Sequence, residues 1–250
     1  MDKRVDLTID YATVSERGLV RGDNQDAVLV DAAQTLFCVA DGMGGGAEGA
    51  TASRFVREEL AKVSGKVMTE LRSSLDRLIV AANARILRYA QDKDFRQMGS
   101  TVALIVRDPA DSRRVAVGHV GDSRVYRVRG GSAELLTADH TIGGQLSSMA
   151  SGDMAESLRN RKHPLAHVLT RAIGVVEKVE VEWLEADAAV GDRWLVCTDG
   201  VHDVLADSLI GEVLAVAPDP KAAAKRLEEE VVRAGAPDNY SYVIVFFGGS

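Results

Sequence analysis

Four aspartates stand where apolar runs give out: Asp41 after LFCVA, Asp122 after VAVGHVG, Asp199 after RWLVCT, and Asp238 ahead of NYSYVIVFF. Each has a small or turn-forming neighbour, namely Gly42, Ser123, Gly200 and Asn239. Any one of these pairs is an ordinary turn, because Asp-Gly and Asp-Asn bend the chain readily. Four of them on the rims of packed sheets are a different matter. Carboxylates brought together repel one another and resist burial unless a positive charge lies among them. A hard divalent cation meets that need. Donors that are all oxygen, with no His-Cys cluster, point to Mg²⁺ or Mn²⁺ rather than Zn²⁺. Glycine beside a ligand also lets a backbone carbonyl approach the ion. Such an ion can also lower the pKa of a water that it binds.

The elements that must carry these residues come in blocks. Residues 69–90 place Leu71, Leu75, Leu78, Ala82, Ile86 and Tyr89 at steps of three and four, one apolar stripe of a helix. Further helices are predicted over 48–62 and 220–234, the latter stopped by Gly235. Strand-like runs occupy 27–30, 35–40, 101–106, 114–120, 124–129, 193–197 and 240–247. The runs 114–120 and 124–129, joined through Gly121-Asp122-Ser123, read as a hairpin with Asp122 at its tip. Strand following strand means antiparallel sheets with long helices laid on them, an α+β arrangement. Residues 140–164, polar and rich in Gly, Ser and Met, read as an irregular excursion over the surface. No linker or repeat divides residues 1–250, so one domain is expected.

Composition narrows the function. With 46% hydrophobic and 27% charged residues the chain is an ordinary globular protein. Its net charge of −7 argues against nucleic acid and against an anionic membrane surface as partners. There is no run of about eighteen apolar residues and no charged-then-apolar amino terminus, so a cytoplasmic protein is expected. Cys38 and Cys197 lie inside apolar runs and read as reduced core thiols.

A set of stretches, in order along nearly the whole chain, carries a resemblance: RGDNQDA from Arg21, VADGMGG from Val39, GST from Gly99, GHVGDSRVYRV from Gly118, LTADHT from Leu136, HPLAHVLTRAIG from His163, LVCTDGVHDVL from Leu195 and DNYSYVIV from Asp238. In these the chain resembles the metal-dependent protein serine/threonine phosphatases, the PPM or type 2C family, in their compact bacterial form. The resemblance implies a four-layer α-β-β-α sandwich with two central antiparallel sheets and a two-metal site at one end. It implies that Asp41 bridges the two Mn²⁺ or Mg²⁺ ions, that Gly42 offers its carbonyl, and that Asp199 and Asp238 complete the ligands. Gln25 and Asp26 would hold waters on the ions, and Arg21 would bind the substrate phosphate, a task suited to a planar bidentate donor. Asp122 matches a ligand of a third, weaker metal site, with Asp199 and a flap residue beside it; Asp203 would be a companion to that site. Residues 140–164 would be the flap. Implied partners are phosphorylated proteins, the products of a serine/threonine kinase, acted on by a monomer.

Two positions depart from the family's pattern. Met43 and Gly46 stand where relatives can carry histidine, so no side chain is assigned to protonate the leaving group, and a metal-bound water takes that part. His119, inside a strand, reads as a hydrogen-bonded core residue. His140 and His163 bracket the excursion and read as loop-fixing residues, His202 as a surface residue, and the basic run 159–163 as a solvated loop. The glycine-rich loop after Asp41 lacks the Lys-Ser/Thr and the parallel βαβ setting of a nucleotide cradle. The alternative function is a catalytically silent regulator that binds phosphoproteins on the same fold. The full set Arg21, Asp41, Asp199 and Asp238 speaks against it, since a binding module needs no complete carboxylate set.

Overall fold

A computed structural model describes residues 6–95, 97–149 and 164–249. One antiparallel sheet runs in the order β1 (Leu7–Glu16), β11 (Tyr240–Gly249), β10 (Arg193–Cys197), β7 (Arg124–Arg129), β8 (Ser132–Leu135). The other runs β2 (Asp26–Val30), β3 (Leu36–Met43), β5 (Val102–Arg107), β6 (Arg114–Val120), β9 (Glu182–Asp187), with the short β4 (Gly99–Ser100) beside the end of β3. Every pairing is antiparallel.

The apolar run of β3 shows how the layers form. Phe37 and Val39 point between the sheets, where they meet Ile105, Val117, Trp194 and Val243. Leu36, Cys38 and Ala40 point outward, under α1 (Ala47–Leu60) and α2 (Met68–Lys93), against Phe55, Leu75, Ile79 and Ile86. Both faces are covered, so the strand is apolar at every step rather than at alternate ones. On the opposite side, Leu195, Tyr242 and Ile244 receive Ile210 and Leu214 of α5 (Asp207–Val216) and Leu227 and Val231 of α6 (Pro220–Arg233). The result is helix, sheet, sheet, helix. Local signals agree: Asp219 accepts from the Ala222 N–H at the start of α6, Pro220 occupies the first helical position, and Gly235 at φ +100° follows the end.

Three expectations need correction. The runs 114–120 and 124–129 do not form a hairpin: β6 pairs with β5 and β9, while β7 pairs with β10 and β8 in the other sheet. Gly121-Asp122-Ser123 is a corner where the chain changes sheets, not a hairpin tip. Gly121 sits at φ +104°, and a Cβ there would stand 2.6 Å from Thr101 Cγ2, so only glycine passes this close to the Thr101 side chain. The described part of the excursion is not irregular either. Residues Ile142–Met149 form α3, started by Thr141 Oγ1 accepting the Gly144 N–H at 2.9 Å, and Pro164–His167 form a 3-10 turn. Residues 150–163 of the expected flap, with His163 and the basic run 159–163, lie outside the described residues. Finally, His202 is buried, not at the surface.

Candidate active site

Antiparallel pairing delivers the aspartates to one end of the sandwich. Asp26 opens β2 directly opposite Asp41 near the end of β3, Asp122 follows β6, Asp199 follows β10 at the start of α4 (Asp199–His202), and Asp238 precedes β11. A cavity of about 240 Å³ is lined there by Arg21, Gln25, Asp41, Gly42, Met43, Thr101, Asp122, His167, Asp199, Asp238 and Asn239, among others. Of the residues expected in the site, Asp26 lies beneath this surface and Asp203 beside it.

The backbone around Asp41 is held from three sides. Its N–H donates to Thr101 Oγ1 at 3.1 Å, the Gly42 N–H donates to the Gln25 carbonyl at 3.1 Å, and a Cβ at Gly42 would stand 2.0 Å from the Gly49 carbonyl oxygen. The first turn of α1 therefore presses directly on the residue after Asp41. With its amide oriented to satisfy both neighbours, Gln25 donates to the Gly42 carbonyl at 3.1 Å and accepts the Gly46 N–H at 3.2 Å. Gln25 thus shapes the glycine loop. Asn239 does the same for the segment carrying Arg21: its Oδ1 accepts the Gln25 N–H at 2.9 Å, and its Nδ2 donates to the carbonyls of Arg17 and Asp23 at 2.8 and 2.9 Å.

Charge is unbalanced in the cavity. Burial, and after it the charges of Asp199, Asp26, Asp122 and Asp238, push the Asp41 carboxyl well above the usual carboxylate range. Burial and the charges of Asp122, Asp203, Asp238 and Asp26 do the same to Asp199. Burial holds the Asp26 carboxyl at about 6, although Ser241 and Thr198 pull it back by hydrogen bonding. Thr198 Oγ1 donates to Asp26 Oδ2 at 2.9 Å, whereas Asp26 Oδ1 is buried with no hydrogen-bond partner. Against these acids stands Arg21 at the exposed rim, 2.6 Å from Asp238. Buried, mutually repelling, all-oxygen donors with one orphaned oxygen fit hard divalent cations, and Asp41, Asp199, Asp238, Asp122 and the Gly42 carbonyl are the groups that could hold them.

Residues 15–239 match the family model of protein phosphatase 2C. The chain belongs to this family. It is 34% identical over 243 residues to serine/threonine protein phosphatase PstP of Mycobacterium tuberculosis, covering 96% of this chain and 45% of that one. The chain therefore spans about half the length of that relative. A solved structure described as PppA, a key regulatory component of T6SS in Pseudomonas aeruginosa, superposes with a TM-score of 0.85 at 32% identity, covering 96% of this chain and 97% of that one. The catalytic domain of PstP in complex with two manganese ions superposes at 0.81 with 33% identity, covering 97% and 99%.

Within the family frame, sequence reasoning passed over several residues of the site. Thr101 lay in the quoted GST stretch, and its hydroxyl meets both the Asp41 N–H and Ser123 Oγ, the latter at 2.7 Å. Thr198 was visible only as a neighbour of Asp199. His167 lines the cavity with Nδ1 3.2 Å from Asp203, and nothing in the spacing of HPLAH marks it. Asp203, one turn after Asp199, lies between His167 and His202, whose Nδ1 is 3.4 Å away. His119 does what a strand histidine was expected to do, with Nε2 2.8 Å from the Ala138 carbonyl.

Proposed function

We propose that this chain is a metal-dependent protein serine/threonine phosphatase, hydrolysing phosphomonoesters of phosphorylated proteins with two divalent cations, Mn²⁺ or Mg²⁺. The observation that carries this reading is the convergence of Asp41, Asp122, Asp199 and Asp238 on one cavity whose own cation, Arg21, lies at the rim. Family membership and the two manganese ions in the PstP catalytic domain support it. When bound, the cations neutralise phosphate charge and acidify a water toward neutral pH. Asp41, Asp199, Asp238 and the Gly42 carbonyl would hold the pair. Asp122 together with Asp199 would hold a third ion more weakly, and Asp203 supports that place through its charge.

The chain's own groups then divide the work. Arg21 uses one terminal nitrogen on Asp238, which leaves further donors of its planar fork for phosphate oxygens. Asp26, anchored through Oδ2 by Thr198, would hold a water through Oδ1, which has no other hydrogen-bond partner. Gln25 keeps the Gly42 carbonyl aimed, and Asn239 keeps the loop of Arg21 in register. A silent phosphoprotein-binding regulator is disfavoured, since binding alone needs no set of repelling acids.

Substrates made by a serine/threonine kinase fit this chemistry. A cytoplasmic setting fits the free buried thiols Cys38 and Cys197. No helix among the described residues is long and apolar enough to cross a membrane. A single domain is supported by the core shared between the two sheets, and one chain is proposed to act alone. The test is hydrolysis of p-nitrophenyl phosphate and of a phosphothreonine peptide by the purified chain with Mn²⁺. Activity that disappears in EDTA and returns with Mn²⁺ is expected; undiminished activity after exhaustive chelation would overturn the reading.

A further inference from the structure

The corner that carries Asp122 is held by a residue from a distant part of the chain. The Gly121 N–H donates to His140 Nδ1 at 3.1 Å, and the His140 N–H donates to the Gly121 carbonyl at 3.0 Å. Both backbone groups of the residue before Asp122 are thus taken by one partner. His140 is itself fixed on three sides. Its Nε2 lies 3.0 Å from a Glu182 carboxylate oxygen on β9, its ring stacks on His119 with centroids 4.4 Å apart, and its carbonyl accepts the Thr170 N–H at 2.8 Å. Arg171 stands 3.6 Å from the same Glu182 carboxylate.

His119, His140 and Glu182 bring ligand atoms within 4.8 Å of one another, the spacing of a transition-metal site. Hydrogen bonding argues against that use. A backbone N–H can only donate, so His140 Nδ1 offers its lone pair to Gly121, and the ring's one proton falls on Nε2, where the Glu182 carboxylate at 3.0 Å outweighs the longer approach of Arg171 Nη1 at 3.5 Å. A metal on Nε2 would leave the imidazole with no proton at all. Burial also pushes both histidines below their ordinary pKa, which favours the neutral ring. The trio is therefore a staple: Glu182 sets the ring, and the ring sets Gly121.

We propose that His140 is a positioning residue for Asp122, holding the Gly121 backbone so that the Asp122 carboxylate enters the cavity at one fixed place, tied to the root of α3. The proposal rests on the reading of Asp122 as a ligand of the weak third ion. Its effect should appear in that ion and in the rate, not in phosphate binding or in the two tight ions.

Two near-isosteric variants separate the ring's two contacts. In His140→Asn the amide oxygen falls where Nδ1 stands and can accept the Gly121 N–H; in His140→Gln the amide reaches toward Glu182 and leaves Gly121 without its partner. Three measurements are made on wild type and on both variants. They are Mn²⁺ titration calorimetry, kcat and KM for p-nitrophenyl phosphate against Mn²⁺ concentration, and hydrogen exchange of the Gly121 amide in metal-free protein. His140→Gln should weaken the third ion about tenfold, the low end for loss of an outer partner. It should lower kcat with KM within twofold, leave the tight ions in place, and speed exchange at Gly121. His140→Asn should restore most of the affinity, rate and protection. Equal losses in both variants would make His140 merely structural and overturn the proposal. Unchanged third-ion affinity in His140→Gln, despite faster exchange at Gly121, would overturn it too. Failure of the phosphatase reading shows separately, as wild-type protein with no Mn²⁺-dependent turnover.

Discussion

Asp192 and Asp199 flank the two ends of strand β10, and the sequence gives them similar company: each touches an apolar strand and a turn. At one end, Asp192 is buried and met by the Arg129 fork, Nε to Oδ1 and a terminal nitrogen to Oδ2, both at 2.7 Å, with the Ala189 N–H adding a bond at 2.9 Å. Asp139 is likewise gripped by both arms of Arg124 at 2.8 Å, and Glu59 is shared between Lys62 and Arg85. At the other end, Asp199 faces Asp122, Asp203, Asp238 and Asp26, all of its own sign, and its carboxyl is driven up. The fold satisfies buried acids with guanidinium wherever nothing else is required of them. Crowding Asp41 and Asp199 among charges of their own sign destabilises the metal-free protein and creates a place for cations, the usual trade between stability and function.

The comparison predicts opposite outcomes for the same substitution at the two ends. Asp41→Asn and Asp199→Asn should cost about 10³-fold in kcat, the upper range for removing one preorganised electrostatic element. Both should also raise the melting temperature of the metal-free protein, because each removes a repelling charge. A drop in metal-free melting temperature would show that these acids are paired by something else. Asp192→Asn should do the reverse. It should lower stability by about 2 kcal/mol, less than the 3–5 kcal/mol of a fully buried pair because Arg129 can turn to water, and leave kcat within twofold. Equal effects at the two ends, read by thermal melts and by turnover, would erase the distinction.

Arg21→Ala comes next in size. It should raise KM about tenfold, the value of a charge-assisted bond to phosphate, with a smaller loss in kcat and unchanged metal affinity. Loss of metal binding at constant KM would assign Arg21 to the ions.

The smallest effect is the pH dependence of metal-free stability. Asp26 has a folded carboxyl at about 6 against an ordinary 3.8, so between those values the folded state holds the proton that the unfolded state has lost. Stability from this group is therefore full below 3.8 and lost as pH rises toward 6. Asp41 and Asp199 are displaced in the same direction. Metal-free protein should melt higher at pH 5 than at pH 7.5, and saturating Mn²⁺ should reverse that order. A metal-free melting temperature that rises across this interval would contradict the imbalance of charge.

What could be read in the sequence followed burial. Strands covered on both faces, such as β3 and β5, announce themselves as apolar runs, and α2 shows its stripe over 26 residues. The edge strand β9, EWLEAD, is largely exposed, and its charged pattern gave no signal. The amphipathic β1, at the other sheet's edge, was missed for a similar reason. At the site, the carboxylates were legible because their strand-end positions repeat. The corner at Asp122 was not, because adjacency in sequence cannot tell a hairpin from a change of sheet, and Gly121 serves either. Thr101, Asn239 and His140 act through backbone groups of residues far along the chain, which only tertiary contact brings near.

Titration calorimetry of Mn²⁺ into metal-free wild-type protein, repeated in two buffers of different ionisation enthalpy, tests most directly whether the mutually repelling acids exist to hold cations. Two tightly bound ions per chain are predicted, with a third weaker one lost in Asp122→Ala. Proton release on binding should also show as a buffer-dependent heat, because carboxyls held partly protonated by their neighbours must give up those protons. Absence of saturable binding, or binding unchanged in Asp41→Asn, would contradict it.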